Sequence, residues 1–302
     1  MKLKNTLFII IILLSFTTLN ASVYDFLNVG LSARSNAMAG SFSAISNDIN
    51  SLQWNPAGLN GIEKGMLSTG VVLYAAGIKF GEVQYGFGKG KNTFGFGLNY
   101  VNYGSIERRG ENNEDLGSFS PMDLLFLSGF SRPITDDLTA GISMKFIYER
   151  IDSFVSYGAG SDIGIQYLMR ERNLTLAFVL KNLGKELKAH YEEKGSLPLS
   201  VTGGFSFHPL PVLNINFDFT RIFYDSRSIA KFGVEWWVVP MLALRAGYSS
   251  AGADLKNDFS PAVSAGTSFG CGFAWKKLYL DYAVQPMVDL GFSQSITLSH
   301  IL

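Results

Sequence analysis

The stretch LTAGISMKFIYER, residues 138–150, decides the fold class of this chain. Apolar side chains stand at every second position, and small, polar or charged residues fill most of the positions between them. This period of two is that of a β-strand, because successive side chains of a strand point to opposite faces. The stretch therefore predicts a strand with one apolar and one largely polar face, a pattern shared by soluble sandwiches and membrane barrels.

The same alternation recurs along the chain, for example in TFGFGLNYV, residues 93–101. It predicts about fourteen strands, and most of them exceed the ~9–11 residues that cross a bilayer as a tilted strand. The predicted strands are 65–73, 78–88, 92–104, 123–133, 138–152, 158–170, 173–186, 197–209, 211–222, 227–238, 241–251, 259–273, 275–285 and 290–301.

The predicted connections alternate between short turns and longer loops, the longest of them over residues 105–121. Bacterial outer-membrane barrels have short periplasmic turns at one end and longer extracellular loops at the other. A Greek-key sandwich has no reason to produce this alternation. We therefore expect an all-β fold, a transmembrane antiparallel β-barrel of about 14 strands in the bacterial outer membrane.

Charged residues occupy the face of the predicted strands that would turn away from lipid. These predicted lumen charges are Lys145, Glu149, Asp162, Lys181, Asp218, Glu235, Arg245 and Asp281. In the dry core of a sandwich, charges are costly unless they are paired. In a barrel lumen they can meet water, one another or a plug, so their placement favours a barrel.

Aromatic residues near the strand ends fit the same orientation. Trp236 and Trp275 fall at the predicted periplasmic interface, and Tyr100 and Tyr148 fall near the opposite rim. Amphipathic rings favour the two interfaces of a membrane, where outer-membrane barrels carry aromatic girdles. The alternative is that these rings only pack at strand ends.

The first residues predict export. Lys2 and Lys4 precede an apolar run over residues 7–14, and Ala21 supplies a small residue for cleavage. This pattern is typical of a secretory signal peptide over residues 1–21. The run is shorter than the ~20 apolar residues of a membrane-spanning helix.

Residues 22–64 do not alternate, and residues 65–302 form the predicted barrel domain. The segment 22–64 predicts two short helical turns, near 33–39 and 47–53. Its turn Asn55-Pro56-Ala57 ends the second of these, because a proline disfavours helical geometry at the residue before it. The segment leads directly into the first strand, so we expect it to be a helical plug in the lumen. The alternatives are a periplasmic arm and a loosely ordered leader.

Composition and motifs exclude several functions. The chain has 25 basic and 25 acidic residues, and this balance argues against a nucleic-acid partner. The motifs HExxH, GxSxG and GxxxxGK[ST] do not occur in the sequence. We therefore expect a non-enzymatic protein with no catalytic residues, no metal site and no cofactor, and with outer-membrane lipid as one partner.

The segment FLNVGLSARSNAMAGSFSAISNDINSLQWNPAGL, residues 26–59, resembles the opening signature of the PorV/PorQ family of outer-membrane barrels. Weaker similarity continues through residues 98–107, 144–151, 158–167, 244–248 and 278–302. The resemblance implies a fourteen-stranded barrel with a plug that carries the Asn55-Pro56-Ala57 turn. Its architecture is similar to that of the fatty-acid transporter FadL.

Two functions follow from the resemblance. The first is an accessory of type IX protein secretion or surface attachment, whose partners would be secretion-system proteins or exported cargo. The second is a FadL-like passive transporter of hydrophobic small molecules, in which the plug gates a lateral exit through the wall. The short loops leave little surface for capturing large apolar ligands, which favours the protein-binding role.

Overall fold

The computed structural model describes residues 22–189, 194–255 and 265–302, and fourteen of its sixteen strands close into one antiparallel barrel. In chain order the strands are β1 (Met66–Leu73), β2 (Lys79–Lys89), β3 (Asn92–Asn102), β4 (Ile106–Arg109), β5 (Asp115–Phe119), β6 (Met122–Pro133), β7 (Leu138–Ile151), β8 (Phe154–Met169), β9 (Leu174–Lys188), β10 (Ser200–Leu210), β11 (Leu213–Ile222), β12 (Ser228–Val239), β13 (Leu242–Ser249), β14 (Thr267–Trp275), β15 (Leu278–Pro286) and β16 (Phe292–Ile301). β1 pairs with both β2 and β16 and so closes the ring. The predicted fold class is confirmed. The predicted signal peptide, residues 1–21, lies outside the described residues.

The alternation of each strand separates a lipid face from a lumen face. On β7, Ile142, Met144 and Phe146 are exposed on the outer surface, whereas Ser143 and Lys145 are buried inside. A closed barrel pairs the backbone polar groups of its strands with one another, so it can cross hydrocarbon. An apolar outer face around a polar interior is the architecture of bacterial outer-membrane barrels, as the sequence predicted.

The two ends of the barrel differ in the length of their connections. Turns such as 90–91, 211–212 and 276–277 lie at one end, and the long connection 103–121 lies at the other. By the rule for outer-membrane barrels, the first end is periplasmic and the second extracellular.

Three of the connections differ from the prediction. The strand predicted over 259–273 is observed as β14 from Thr267, because Gly266 at φ 86° forms a turn before it; residues 259–264 lie outside the described residues. β8 begins at Phe154, where a loop was expected, and a tight turn with Asp152 at φ 54° joins it to β7. The connection 103–121, expected to be a loop, contains the separate hairpin of β4 and β5. Strands of this length are too short for their alternation to be recognised in the sequence.

The N-terminal segment, from Ser22 to Gly65, lies inside the barrel and is called the plug. It begins at the extracellular end, where the backbone N–H of Val23 donates to the Ser196 carbonyl at 3.1 Å. It reaches the periplasmic end, where Ile62 lies over Gly86 of β2. The plug therefore runs the length of the lumen. None of the described helices is long and apolar enough to cross a membrane.

Short helical pieces make up the plug. They are the 3₁₀ turn Asp25–Asn28, helix α1 (Ala33–Ala37), helix α2 (Ser51–Trp54) and the 3₁₀ turn Pro56–Leu59. Asn55 is extended, with φ −155° and ψ 109°, because the proline after it disfavours helix. The Asn55 side chain then accepts a hydrogen bond from Ala57 N–H at 3.1 Å and caps a new turn. The sequence predicted the end of α2 but not this second turn.

An apolar seam fixes the plug against the wall. Its buried members from the plug include Leu27, Ile49, Leu52 and Leu59, and those from β6 and β7 are Leu125, Leu127 and Ile147. Burial of apolar surface contributes about 25 cal/mol per Å². This seam interrupts the mostly polar lumen and positions the plug for the polar contacts described below.

Candidate functional site in the barrel lumen

Five charged side chains join the plug to the wall and form what we call the plug latch: Arg34, Asp48, Glu235, Arg245 and Asp281. Arg34 donates from Nε and Nη2 to the two Glu235 carboxylate oxygens, at 2.9 and 2.7 Å. Its Nη1 donates to Asp48 of the plug at 2.8 Å. Arg245 of β13 donates to Glu235 at 2.6 Å and to Asp281 of β15 at 2.7 Å. Glu235 is therefore shared by a plug arginine and a wall arginine.

The latch is a paired cluster in which each charge faces an opposite charge. Each arginine pairs with two carboxylates, Arg34 with those of Glu235 and Asp48, and Arg245 with those of Glu235 and Asp281. Bidentate arginine–carboxylate pairs combine geometric specificity with strong, charge-assisted hydrogen bonds. The latch therefore holds the plug in one register against β12, β13 and β15.

The predicted plug turn, Asn55-Pro56-Ala57, packs against β7 and β8. Asn55 is fully buried, and its Nδ2 donates to the Ser43 carbonyl at 2.8 Å and to the Ile165 carbonyl at 3.3 Å. A Cβ atom added at Gly141 of β7 would collide with the backbone of Pro56 and Ala57. Glycine at this wall position therefore lets the plug turn approach closely.

Two further polar groups fasten the wall and the plug. Asp218 of β11 accepts hydrogen bonds from the backbone N–H groups of Phe42 and Ser43, each at 3.0 Å, and from Ser43 Oγ. In the wall, Lys145 forms an ion pair with Asp162 at 2.8 Å. These contacts use most of the lumen charges for structure.

A cavity of about 390 Å³, the outer chamber, lies at the extracellular end between the plug and the barrel wall. Its apolar lining includes Val29, Val72, Tyr74, Ile222, Ile229, Pro286 and Met287. Its polar lining includes Asn28, Asn36, Lys231, Thr267 and Gln285. Ligand pockets commonly have volumes of about 300–1,000 Å³ and combine apolar walls with a few polar groups. The outer chamber has that size and character.

A smaller space of about 60 Å³, the recess, adjoins the outer chamber. The two spaces share as lining Asn28, Trp54, Ile222, Ile229 and Lys231. The recess adds Ser43, Lys181, Ser200, Thr202, Asp218 and Thr220. Its lining is thus more polar than that of the outer chamber.

Trp54, the last residue of α2, lies beside two lysines in the recess. Lys181 Nζ is 5.0 Å from the ring centroid of Trp54, and Lys231 Nζ is 4.8 Å from it. Both distances are within the ~6 Å range of cation–π attraction. The plug therefore presents its aromatic ring to cations from β9 and β12.

The structure sorts the eight predicted lumen charges into separate groups. All eight lie on inward faces; seven are buried, and Glu149 is half-buried. Glu235, Arg245 and Asp281 belong to the latch, whereas Lys145 and Asp162 pair in the wall. Lys181 and Asp218 line the recess.

The four predicted interface aromatics lie on strands near the two ends of the barrel. Trp236 and Trp275 are exposed near the short-turn end. At the opposite end Tyr100 is exposed and Tyr148 is half-buried.

Four functional residues were missed in the sequence. Lys231 lies on β12 in phase with Glu235, so alternation could have identified it as inward. Arg34, Asp48 and Trp54 belong to the plug, where no strand period marks the direction of a side chain. Their contacts depend on how the plug folds against the wall.

Several solved structures share this fold. The Pseudomonas putida toluene transporter TodX is 16% identical, with a TM-score of 0.66, over 92% of this chain and 98% of TodX. The CymD monoaromatic hydrocarbon channel is 12% identical, with a TM-score of 0.66, over 93% of this chain and 99% of CymD. A Pseudomonas aeruginosa FadL homologue is 13% identical, with a TM-score of 0.56, over 90% of this chain and 99% of the homologue.

These similarities show a fold shared with FadL and TodX over nearly the whole length of both chains. No protein-family model matches the sequence, and no curated protein matches it either. The part of the resemblance that points to FadL-like architecture is confirmed as a fold.

Proposed function

We propose that this protein is a non-enzymatic channel for hydrophobic small molecules in the bacterial outer membrane. The observation that carries the proposal is the outer chamber, a partly apolar cavity of about 390 Å³ that lies on the plug. A molecule entering from the extracellular end would rest there before the plug lets it pass. The names of the structural neighbours, a toluene transporter and a monoaromatic hydrocarbon channel, support the same class of substrate.

The construction of the plug supports a gated channel over an open pore. The plug spans the lumen, and the latch, Asn55 and the apolar seam hold it at separate points. The packed side chains of the plug would block the passage of polar solutes through the lumen. Passage therefore requires the plug to shift, and a ligand can favour that shift only by binding the shifted state more tightly.

The test is the uptake of radiolabelled toluene by intact Gram-negative cells that lack their own hydrocarbon channels and produce this barrel. Intact cells are needed because toluene crosses simple lipid bilayers unaided, whereas a lipopolysaccharide leaflet slows it. We expect faster toluene uptake than in cells without the barrel. A polar solute of similar size, such as glycerol, should enter both kinds of cell at the same rate.

Either of two results would refute the proposal. Equal toluene uptake with and without the barrel would show that it carries no hydrocarbon. Faster entry of toluene and glycerol alike would indicate an unselective pore. Production of folded barrel is checked in each case by its heat-dependent mobility shift on gels.

The resemblance to the PorV/PorQ family gives a second candidate, an accessory of type IX-like protein secretion. The feature that favours it is the hairpin of β4 and β5 outside the barrel, with Ile106 and Leu116 exposed. If this hairpin binds a secretion protein, removing residues 106–119 should abolish cross-linking to that partner and leave toluene uptake unchanged. Unchanged cross-linking would exclude the hairpin as the binding surface.

A further inference from the structure

The side chains of the two recess lysines form no ion pair and donate no hydrogen bond among the described residues. Both ammonium groups lie against the Trp54 ring, Lys181 Nζ at 5.0 Å and Lys231 Nζ at 4.8 Å from its centroid. Lys181 is 7% exposed, and Lys231 is partly buried. A buried charge is costly unless something pairs with it. Two ammonium groups in one small space therefore form a site that favours the binding of an anion.

The carboxylate that lines the recess is already engaged by the plug. Asp218 lines the same recess, but its carboxylate accepts hydrogen bonds from Phe42 N–H, Ser43 N–H and Ser43 Oγ. These three donors compensate part of the negative charge of the Asp218 carboxylate. The recess thus keeps an excess of positive charge.

Other donors surround the lysines. The hydroxyl group of Ser200 and the amide of Asn28 line the recess, together with Thr202 and Thr220, whose hydroxyl groups are hydrogen-bonded to each other at 2.9 Å and leave one O–H to donate elsewhere. The indole Nε1–H of Trp54 is buried and finds no acceptor in the part of the chain that the structure describes. Hydroxyl, indole and ammonium donors beside one another suit an oxyanion, which is an acceptor only.

The size of the two spaces limits what the ligand can be. The recess, at about 60 Å³, has room for a charged head group and little more. The adjoining outer chamber, at about 390 Å³ and with an apolar lining, has room for an apolar body. A ligand that fits both spaces has an oxyanion at one end and a compact apolar group at the other.

We propose that the recess is an oxyanion subsite, formed by Lys181, Lys231 and Trp54, and that the channel takes small organic anions in preference to neutral hydrocarbons. This inference rests on the proposed channel function and narrows its substrate class. The carboxylate would pair with the two ammonium groups, while the apolar body stays in the outer chamber. Charge and shape would then be recognised by separate parts of the site.

Benzoate and toluene form a matched pair of probes, because they differ only in a carboxylate in place of a methyl group. Binding is measured by calorimetry on the full chain in nanodiscs of zwitterionic lipid. We expect benzoate to bind about tenfold or more tightly than toluene, since pairing with the lysines adds to the apolar contact. Benzylamine, a cation of similar size, should bind more weakly than either. Acetate separates the head group from the body and should bind weakly but compete with benzoate.

Variants show whether the recess is responsible. Lys181→Gln and Lys231→Gln should each weaken benzoate binding by about tenfold and so remove most of the preference for benzoate over toluene. Lys231→Arg keeps the positive charge and should retain the preference for benzoate. The control is Lys276→Gln, because Lys276 also lies over a tryptophan ring, that of Trp275, at 5.3 Å, but outside the lumen. It should bind benzoate like the wild type.

The outcomes separate this inference from the proposed function. The inference is wrong if benzoate binds no better than toluene, or if both glutamine variants keep the benzoate preference. Toluene uptake by cells would in that case still support the channel. Conversely, tight benzoate binding without uptake of either compound would support the subsite and refute transport. The gel mobility shift establishes that each variant is folded before it is assayed.

Discussion

The plug latch and the recess lie in the same lumen but treat charge in opposite ways. In the latch, Arg34 and Arg245 share Glu235 at hydrogen-bond distances of 2.6–2.9 Å. In the recess, the side chains of Lys181 and Lys231 form no ion pair among the described residues and lie against the Trp54 ring. The difference teaches that paired charge here fastens the plug, whereas unpaired charge is available for a ligand.

The largest effect is expected at the centre of the latch. Glu235→Gln leaves Arg34 and Arg245 beside each other without their shared carboxylate, and removing one partner of a buried pair costs about 3–5 kcal/mol. We expect the free energy of unfolding in urea to fall by about this amount. Trypsin should also cut after Arg34 sooner, because the loosened plug exposes that bond.

A surface ion pair provides the control for the latch. Glu107 contacts Arg109 in the exposed hairpin, so Glu107→Gln should change the free energy of unfolding by less than about 1 kcal/mol. If Glu235→Gln were as mild as Glu107→Gln, the latch would not hold the plug.

A smaller effect is expected at the plug turn, where the fastening is polar but uncharged. Asn55→Ala removes the donor to the Ser43 carbonyl and the cap on Ala57 N–H, and buried groups left without partners cost about 1–3 kcal/mol. We expect a loss of unfolding free energy in that range, measured by the same urea titration. Asn112→Ala, at an exposed turn position between β4 and β5, should lie within about 0.5 kcal/mol of the wild type.

The smallest effect on the free energy of unfolding is expected in the recess. The sign of that effect distinguishes an unpaired lysine from a paired one. Lys231→Met replaces an unpaired cation by an apolar chain of similar length, so stability should be unchanged or rise by up to about 1 kcal/mol. Lys145→Met is the matched change at a paired lysine. It should be clearly destabilising, because it leaves the buried Asp162 carboxylate without its counterion. Comparable losses in both variants would mean that Lys231 is structural.

The barrel could be predicted from sequence because its signal is local. The alternation in residues 138–150 assigns each side chain to lipid or lumen without reference to any other strand. This is why Lys145, Asp162 and Glu235 were placed on the inward face before their partners were known.

The latch and the recess could not be predicted in the same way. Arg34 meets Glu235 across some two hundred positions of sequence, and no period in the plug reveals where that guanidinium points. Lys181 and Lys231 stand out only when the hydrogen-bond partners of every lumen charge are known. Sequence thus located the charges, while their pairing depends on how an irregular segment packs inside the wall.

The most direct test of the channel is to fill the outer chamber and measure toluene uptake by intact cells. Ala251 lines the chamber, so Ala251→Trp should fill it and lower uptake by about tenfold, the effect of losing most of the binding volume. Ala246→Trp adds the same side chain to the exposed outer face of β13 and should leave uptake unchanged. If cells that produce the Ala251→Trp variant took up toluene at the rate of wild-type cells, this result would contradict passage of toluene through the outer chamber.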